Sequence, residues 1–274
     1  MIMFTSLKYS LRTIGLLALF PALTASAQVF VGSEDFNNGG TASNWDSVYR
    51  LNSATQGDLT FANNRLDFTK AAGTGNQSRL WNSDGTANPS VSTSTFTTSW
   101  VMTLLATNTQ TVDSGKFANI GFTIFNDDNE YLAFLLNAND SGYNLHLEGT
   151  GFTAVNVTVA DSTDVTMRVS WDAVAKTLTS AYSFDGSSFT DVNSFNPLTG
   201  AGVTGSGWSN TTNPVSNGFN LGITGNSDAA GAISVGSIYA DNFSVSAVPE
   251  PSTYAAIFGG LVLGLAIWRR RQAA

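Results

Sequence analysis

The chain has 274 residues, 42% of them hydrophobic and only 12% charged, with 12 Lys and Arg against 20 Asp and Glu and no cysteine. The missing cysteine excludes disulfide scaffolding and thiol chemistry, and the acidic balance excludes a phosphate-reading surface and works against docking on anionic lipid. Abundant aromatic and β-branched residues with so little charge also separate the chain from disordered polymers.

At the N-terminus Lys8 and Arg12 precede an apolar run over residues 14–19, which Pro21 breaks before the small-x-small triplet Ala25-Ser26-Ala27. That order predicts a signal peptide over residues 1–27, cut after Ala27 so that the mature chain begins near Gln28. The apolar run is too short for a permanent span.

The body, residues 28–245, reads as one domain. Once the basic residues of the two ends are set aside, 7 basic residues face 19 acidic ones. Period-two alternation recurs along it: Ile120, Phe122 and Ile124; Tyr143, Leu145 and Leu147; Val155, Val157 and Val159; Val165, Met167, Val169 and Trp171. Each set alternates with polar residues, as half-buried strands do, and no window shows the 3.6-residue period of an amphipathic helix. The run 131–136 is apolar without alternation, the mark of a strand covered on both faces. Turn chemistry at Ala62-Asn63-Asn64, Asn126-Asp127-Asp128-Asn129, Asp140-Ser141-Gly142 and Asp185-Gly186 divides the strands. Ten to twelve mostly antiparallel strands are expected, in an all-β, two-sheet, jelly-roll-like sandwich. Two long polar connections, residues 71–95 and 196–218, stand out as functional or disordered loops.

Glu34-Asp35-Phe36 with Trp45, Arg168-Val169-Ser170-Trp171 with Tyr182-Ser183-Phe184-Asp185-Gly186, and Ile238-Tyr239-Ala240-Asp241-Asn242-Phe243 resemble the concanavalin-like and laminin-G-like sandwiches. That superfamily holds lectins, carbohydrate-binding modules and glucanases. The resemblance therefore implies glycan association without choosing between binding and cleavage.

Glucan cleavage on such a sandwich uses carboxylates at alternate positions of one strand, in a Glu-x-Asp-x-x-Glu run. The four glutamates, Glu34, Glu130, Glu148 and Glu250, form no such run. His146 is the single histidine and falls on the wet face of its strand, and no Gly-x-Ser-x-Gly elbow accompanies it. The chain is therefore read as noncatalytic. Carboxylates without thiols suit hard ions, and parity along the first and last strands aims Glu34 and Asp241 at the core side. If those strands lie side by side, a structural calcium is one reading; carboxylates in water or on backbone N–H groups are the other. For sugar binding, Trp81 and Trp208 lie in the two long loops, with Arg79 and Asn210 beside them. They read either as stacking platforms for a sugar or as caps tucked onto the sandwich, whereas Trp100 and Trp171 read as core.

Residues 246–253 form a linker carrying Val248-Pro249-Glu250-Pro251-Ser252, and residues 254–274 form an apolar helix ending in Arg269, Arg270 and Arg271. The apolar run 254–268 would be about 22 Å long as a helix, short for a hydrocarbon core of about 30 Å. It reads as a single-pass anchor or as a tail that a transpeptidase removes, the arginines stopping it on the cytoplasmic side. Pro249-Glu250-Pro251, the apolar run and the basic stop resemble, in order and spacing, the PEP-CTERM sorting signal of Gram-negative bacteria that make extracellular polysaccharide. The resemblance implies an exosortase as partner, passage through the inner membrane, and a secreted, cell-envelope or matrix destination. Three functions follow: a noncatalytic envelope protein that binds extracellular polysaccharide, which is preferred; a self-associating surface protein without glycan contact; and a polysaccharide-degrading enzyme.

Overall fold

The computed structural model describes residues 32–34, 36, 47–50, 57–73, 76–82, 94–95, 98–127, 130–150, 152–159, 164–198, 218–248 and 251–272. The signal peptide, Trp45, Trp208, Asn210, Pro249 and Glu250 lie outside these residues. The elements are β1 (Gly32–Glu34), β2 (Ser47–Arg50), β3 (Gly57–Ala62), β4 (Arg65–Lys70), β5 (Asn76–Asn82), β6 (Ser94–Thr95), β7 (Trp100–Asn108), β8 (Phe117–Asp127), β9 (Glu130–Asn139), β10 (Gly142–Gly149), β11 (Val155–Val159), β12 (Val165–Asp172), β13 (Thr177–Ser183), β14 (Thr190–Phe195), β15 (Gly218–Ser227), β16 (Ile238–Ala247) and α1 (Pro251–Gln272).

The expected all-β sandwich is present as two antiparallel sheets. One runs β14-β13-β12-β7-β16-β4-β3 with β1 on β16; the other runs β11-β10-β9-β8-β15-β5-β2 with β6 on β15. The strands number sixteen among the described residues rather than ten to twelve. The excess comes from the short β1, β2 and β6, and from β5, which occupies part of the segment read as a polar loop.

The core lies between the two inner faces. Met102, Leu104, Met167 and Val169 of the first sheet meet Ile120, Phe122, Phe134, Leu136 and Ile223 of the second, all fully buried. Trp100 and Trp171 are core residues as expected, their rings edge-on to Phe219 with centroids 5.4 and 5.1 Å away. The sheets approach closely where Gly225 faces Phe68: a Cβ on Gly225 would stand 2.4–2.9 Å from that side chain. Burying Lys70 between β4 and the segment after β15 requires acceptors, and its ammonium donates to the carbonyls of Ala71, Gly73, Ala229 and Gly231.

Local chemistry accounts for the hairpins. Ala62 pairs with Arg65, and the two intervening asparagines both take positive φ, 52° and 60°, as a two-residue primed turn demands. Gly142 at φ 111° closes the β9–β10 turn and Gly186 at φ 71° lies between β13 and β14.

The tail is helical as expected, but α1 begins at Pro251, three residues earlier than read. Proline fits the first helical position, where its missing N–H has no intrahelical partner to lose. Phe258, Leu261, Val262, Leu263, Leu265 and Trp268 are exposed on it. Among the described residues no helix is long and apolar enough to cross a membrane, so the transmembrane reading of the tail is not upheld.

Candidate functional site: a carboxamide-lined groove

The outer face of the second sheet carries a groove of about 600 Å³. Register explains which residues share the face that carries it. Asn226, Asn119, Asn137, Asn144 and Thr158 are successive Cα partners across β15, β8, β9, β10 and β11, and a parallel row runs Thr224, Gly121, Leu135, His146, Asn156. A third row, Gly222, Thr123, Ala133, Glu148, lies one pleat further on. Because paired residues share a face, one polar phase repeated on neighbouring strands becomes a two-dimensional patch of carboxamides and hydroxyls.

The run 131–136 is buried on both faces, as expected. Its inner residues Leu132, Phe134 and Leu136 belong to the core, while Ala133 and Leu135, 6% and 4% exposed, line the groove. An apolar strip thus lies beside the asparagines, with Phe117 and Tyr131 also in the lining.

Hydrogen bonds order the patch. The Nδ2 groups of Asn137 and Asn139 both donate to Asn144 Oδ1, at 3.1 and 3.0 Å, and Asn144 Nδ2 donates to Asn156 Oδ1 at 2.7 Å. His146 Nδ1 is 2.7 Å from that same Asn156 oxygen, and its Nε2 is 3.4 Å from Glu148 Oε2. An acceptor at each ring nitrogen favours the imidazolium. The hydrogen bond to Glu148 holds the His146 pKa above its usual value against the opposing effect of burial, and the same bond holds the Glu148 carboxyl below its own. His146 is therefore a fixed member of a hydrogen-bonded row, not the solvated side chain expected from its parity.

Two acceptors of the row have no donor among the described residues. Asn119 and Asn137 are 4% and 8% exposed, and the carboxamide oxygen of each is buried without a hydrogen-bond donor. These two residues face each other across β8 and β9.

The residues chosen from sequence fall elsewhere. Trp81 and Arg79 lie on β5 rather than in a loop: Trp81 is in register with Gly222 and Ser47, and Arg79 with Thr224 and Tyr49. They thus belong to the sheet that carries the groove, on the strand beside β15. Trp208 and Asn210 lie outside the described residues. The first and last strands do pair, with Glu34 opposite Phe243. The parity assigned to Asp241 fails, however, because a bulge intervenes before Ser244 and Asn242 takes φ 50°. The buried set on β16 is Ile238 and Ala240, then Phe243 and Val245, and Asp241 is outside it, accepting the Asn242 N–H at 2.7 Å. Among the described residues no three His, Asp or Glu side chains gather to hold an ion.

The asparagines of the groove were within reach of the sequence. Asn144, His146 and Asn156 were visible as the wet phase of their strands, but nothing local shows that these strands are neighbours with aligned wet phases.

No protein-family model and no curated protein matches the chain. Among solved structures it is similar to the Bacteroides ovatus xyloglucan PUL GH43B protein, with a TM-score of 0.51 at 12% identity over 79% of this chain, which spans 39% of the length of that one. It also aligns with peanut lectin (TM-score 0.48, 12% identity, 81% of this chain and 100% of the lectin) and with the carbohydrate recognition domain of Emp47p (0.45, 13%, 82% and 99%). At these identities the likeness is one of fold, a two-sheet β-sandwich.

Proposed function

We propose that this is a noncatalytic, secreted envelope protein that binds extracellular polysaccharide in the groove over β15, β8, β9, β10 and β11. The observation that carries the reading is the row of carboxamides beside an apolar strip. Sugar rings present C–H faces that need apolar contact and hydroxyls that need fixed amide partners, and the groove offers both side by side. Arg79 and Trp81 on β5, with Trp208 and Asn210, are assigned to flank the same ligand. Retention of the full-chain protein in polysaccharide-containing native gels tests this. Mobility unchanged by every polysaccharide, together with concentration-dependent self-association in the ultracentrifuge, would favour the structural alternative.

Binding without cleavage is supported by the carboxylates. Both glycosidase geometries need two, and among the described residues the groove lining contains only Glu148, already engaged by His146. Release of reducing ends, lost on Glu148→Gln, would overturn this part. The tail is assigned to exosortase sorting by its resemblance to the PEP-CTERM signal. Intact mass of protein from a host with an active exosortase tests that step, and recovery of residues 252–274 would contradict it.

A further inference from the structure

The chemistry of the lining bears on which polysaccharide the groove accepts. Its described residues include no Lys or Arg, and the histidine among them, His146, lies against Glu148. The body around it is strongly acidic, 19 acidic residues against 7 basic. A uronate or sulfated chain would have to surrender its counterions and its hydration to a lining whose described residues offer no Lys or Arg, Arg79 being assigned to its flank and not to its floor. An uncharged chain meets no such cost.

The unmet oxygens of Asn119 and Asn137 ask for donors, and the hydroxyls of a neutral sugar are donors. The two residues sit side by side in one cross-strand row. Asn137 is tethered through Nδ2 to Asn144, whereas the Asn119 carboxamide oxygen has no hydrogen-bond partner among the described residues. The row extends over five strands, a span of about 19 Å across the sheet. That length suits a run of several sugar residues lying across the strands rather than one terminal residue.

We propose that the groove is selective for an internal stretch of uncharged polysaccharide, and that Asn119 and Asn137 are its specificity-determining pair, accepting hydrogen bonds from adjacent sugar hydroxyls. This rests on the glycan-binding reading above and narrows it. Asn119→Ala removes a ligand contact without removing a hydrogen bond made by its carboxamide oxygen, so fold and binding separate there, whereas Asn137→Ala also loses the Nδ2 bond to Asn144.

The test is affinity electrophoresis of the full chain in galactomannan, barley β-glucan and dextran, against alginate and polygalacturonate, with and without chelator, using wild type, Asn119→Ala and Asn137→Ala. Thermal melts of the three proteins accompany it. The expected result is retention by at least one neutral polymer, no retention by the acidic ones, and a weakening of up to about tenfold in each variant, with the melt preserved in Asn119→Ala and modestly lowered in Asn137→Ala by loss of its bond to Asn144. Retention by alginate or polygalacturonate that the variants lose would overturn neutral selectivity while leaving the groove as the binding site. Neutral binding unchanged in both variants would overturn the assignment of the pair. Binding abolished by chelator would transfer the two oxygens to a cation and overturn it as well. Retention by none of the five polymers would count against the glycan reading itself.

Discussion

Asn119→Ala separates a groove built for a ligand from a surface that only folds. The Asn119 carboxamide oxygen is buried without a donor, a condition that costs the folded state about 1–3 kcal/mol. Alanine removes that oxygen. Because the position lines an open groove, no sealed cavity forms, and the cavity penalty of core truncations does not arise. The melting temperature should therefore hold or rise by a few degrees, at about 2–4 °C per kcal/mol for a domain of this size. Affinity should move the other way. One lost hydrogen bond to a sugar hydroxyl is worth about 0.5–1.5 kcal/mol, a weakening of roughly three- to tenfold. A melt alongside affinity electrophoresis in galactomannan reads both. A variant that melts more than about 4 °C lower and binds as wild type would refute the reasoning, since Asn119 would then be structural.

His146 and Glu148 give a pH signature. The raised His146 pKa contributes stability that is complete below 6.5 and lost as pH rises through its folded value, and the lowered Glu148 pKa contributes stability that is complete above 4.5 and lost as pH falls. The pair is thus fully formed between those limits, and Glu148→Gln should lower the His146 pKa read by NMR; an unmoved pKa would contradict the pairing. Trp171→Ala should cost about 3–5 kcal/mol by thermal or urea unfolding, because a ring 1% exposed is lost from beside Phe219. Gly225→Ala should destabilise by about 1–3 kcal/mol in the same assay, as its Cβ would press on Phe68, whereas wild-type stability would show that the sheets can part there. Calcium should leave the melting curve unchanged, since Asp241 lies outside the buried set of β16; a rise reversed by chelator would show that Glu34 and Asp241 hold the ion after all.

Much of the fold was written locally. The Asn63-Asn64 turn, the alternation of Val165, Met167, Val169 and Trp171, and the two-sided burial of the run 131–136 each follow from a few adjacent residues. The failures have local causes too. A single residue inserted at Asn242 reversed the parity on which the Asp241 reading depended, and β5 escaped notice because Asn76, Gln77, Ser78 and Arg79 show no alternation to mark a strand. The groove was hidden for a different reason. Asn119, Asn137 and Asn144 become one row only through the order β8-β9-β10, with Asn156 of β11 hydrogen-bonded at its end, and Asn226 joins from β15, 70 residues beyond Asn156. Such long-range pairing leaves no mark in any short window.

The measurement closest to the central claim is chemical-shift mapping of the full-chain protein titrated with a neutral oligosaccharide of the polymer it retains. The account predicts that the side-chain amides of Asn119, Asn137, Asn144 and Asn156 and the ring of His146 shift together and saturate with one affinity. Shifts confined to residues outside β8, β9, β10, β11 and β15, with these side chains still, would place the site elsewhere and contradict it.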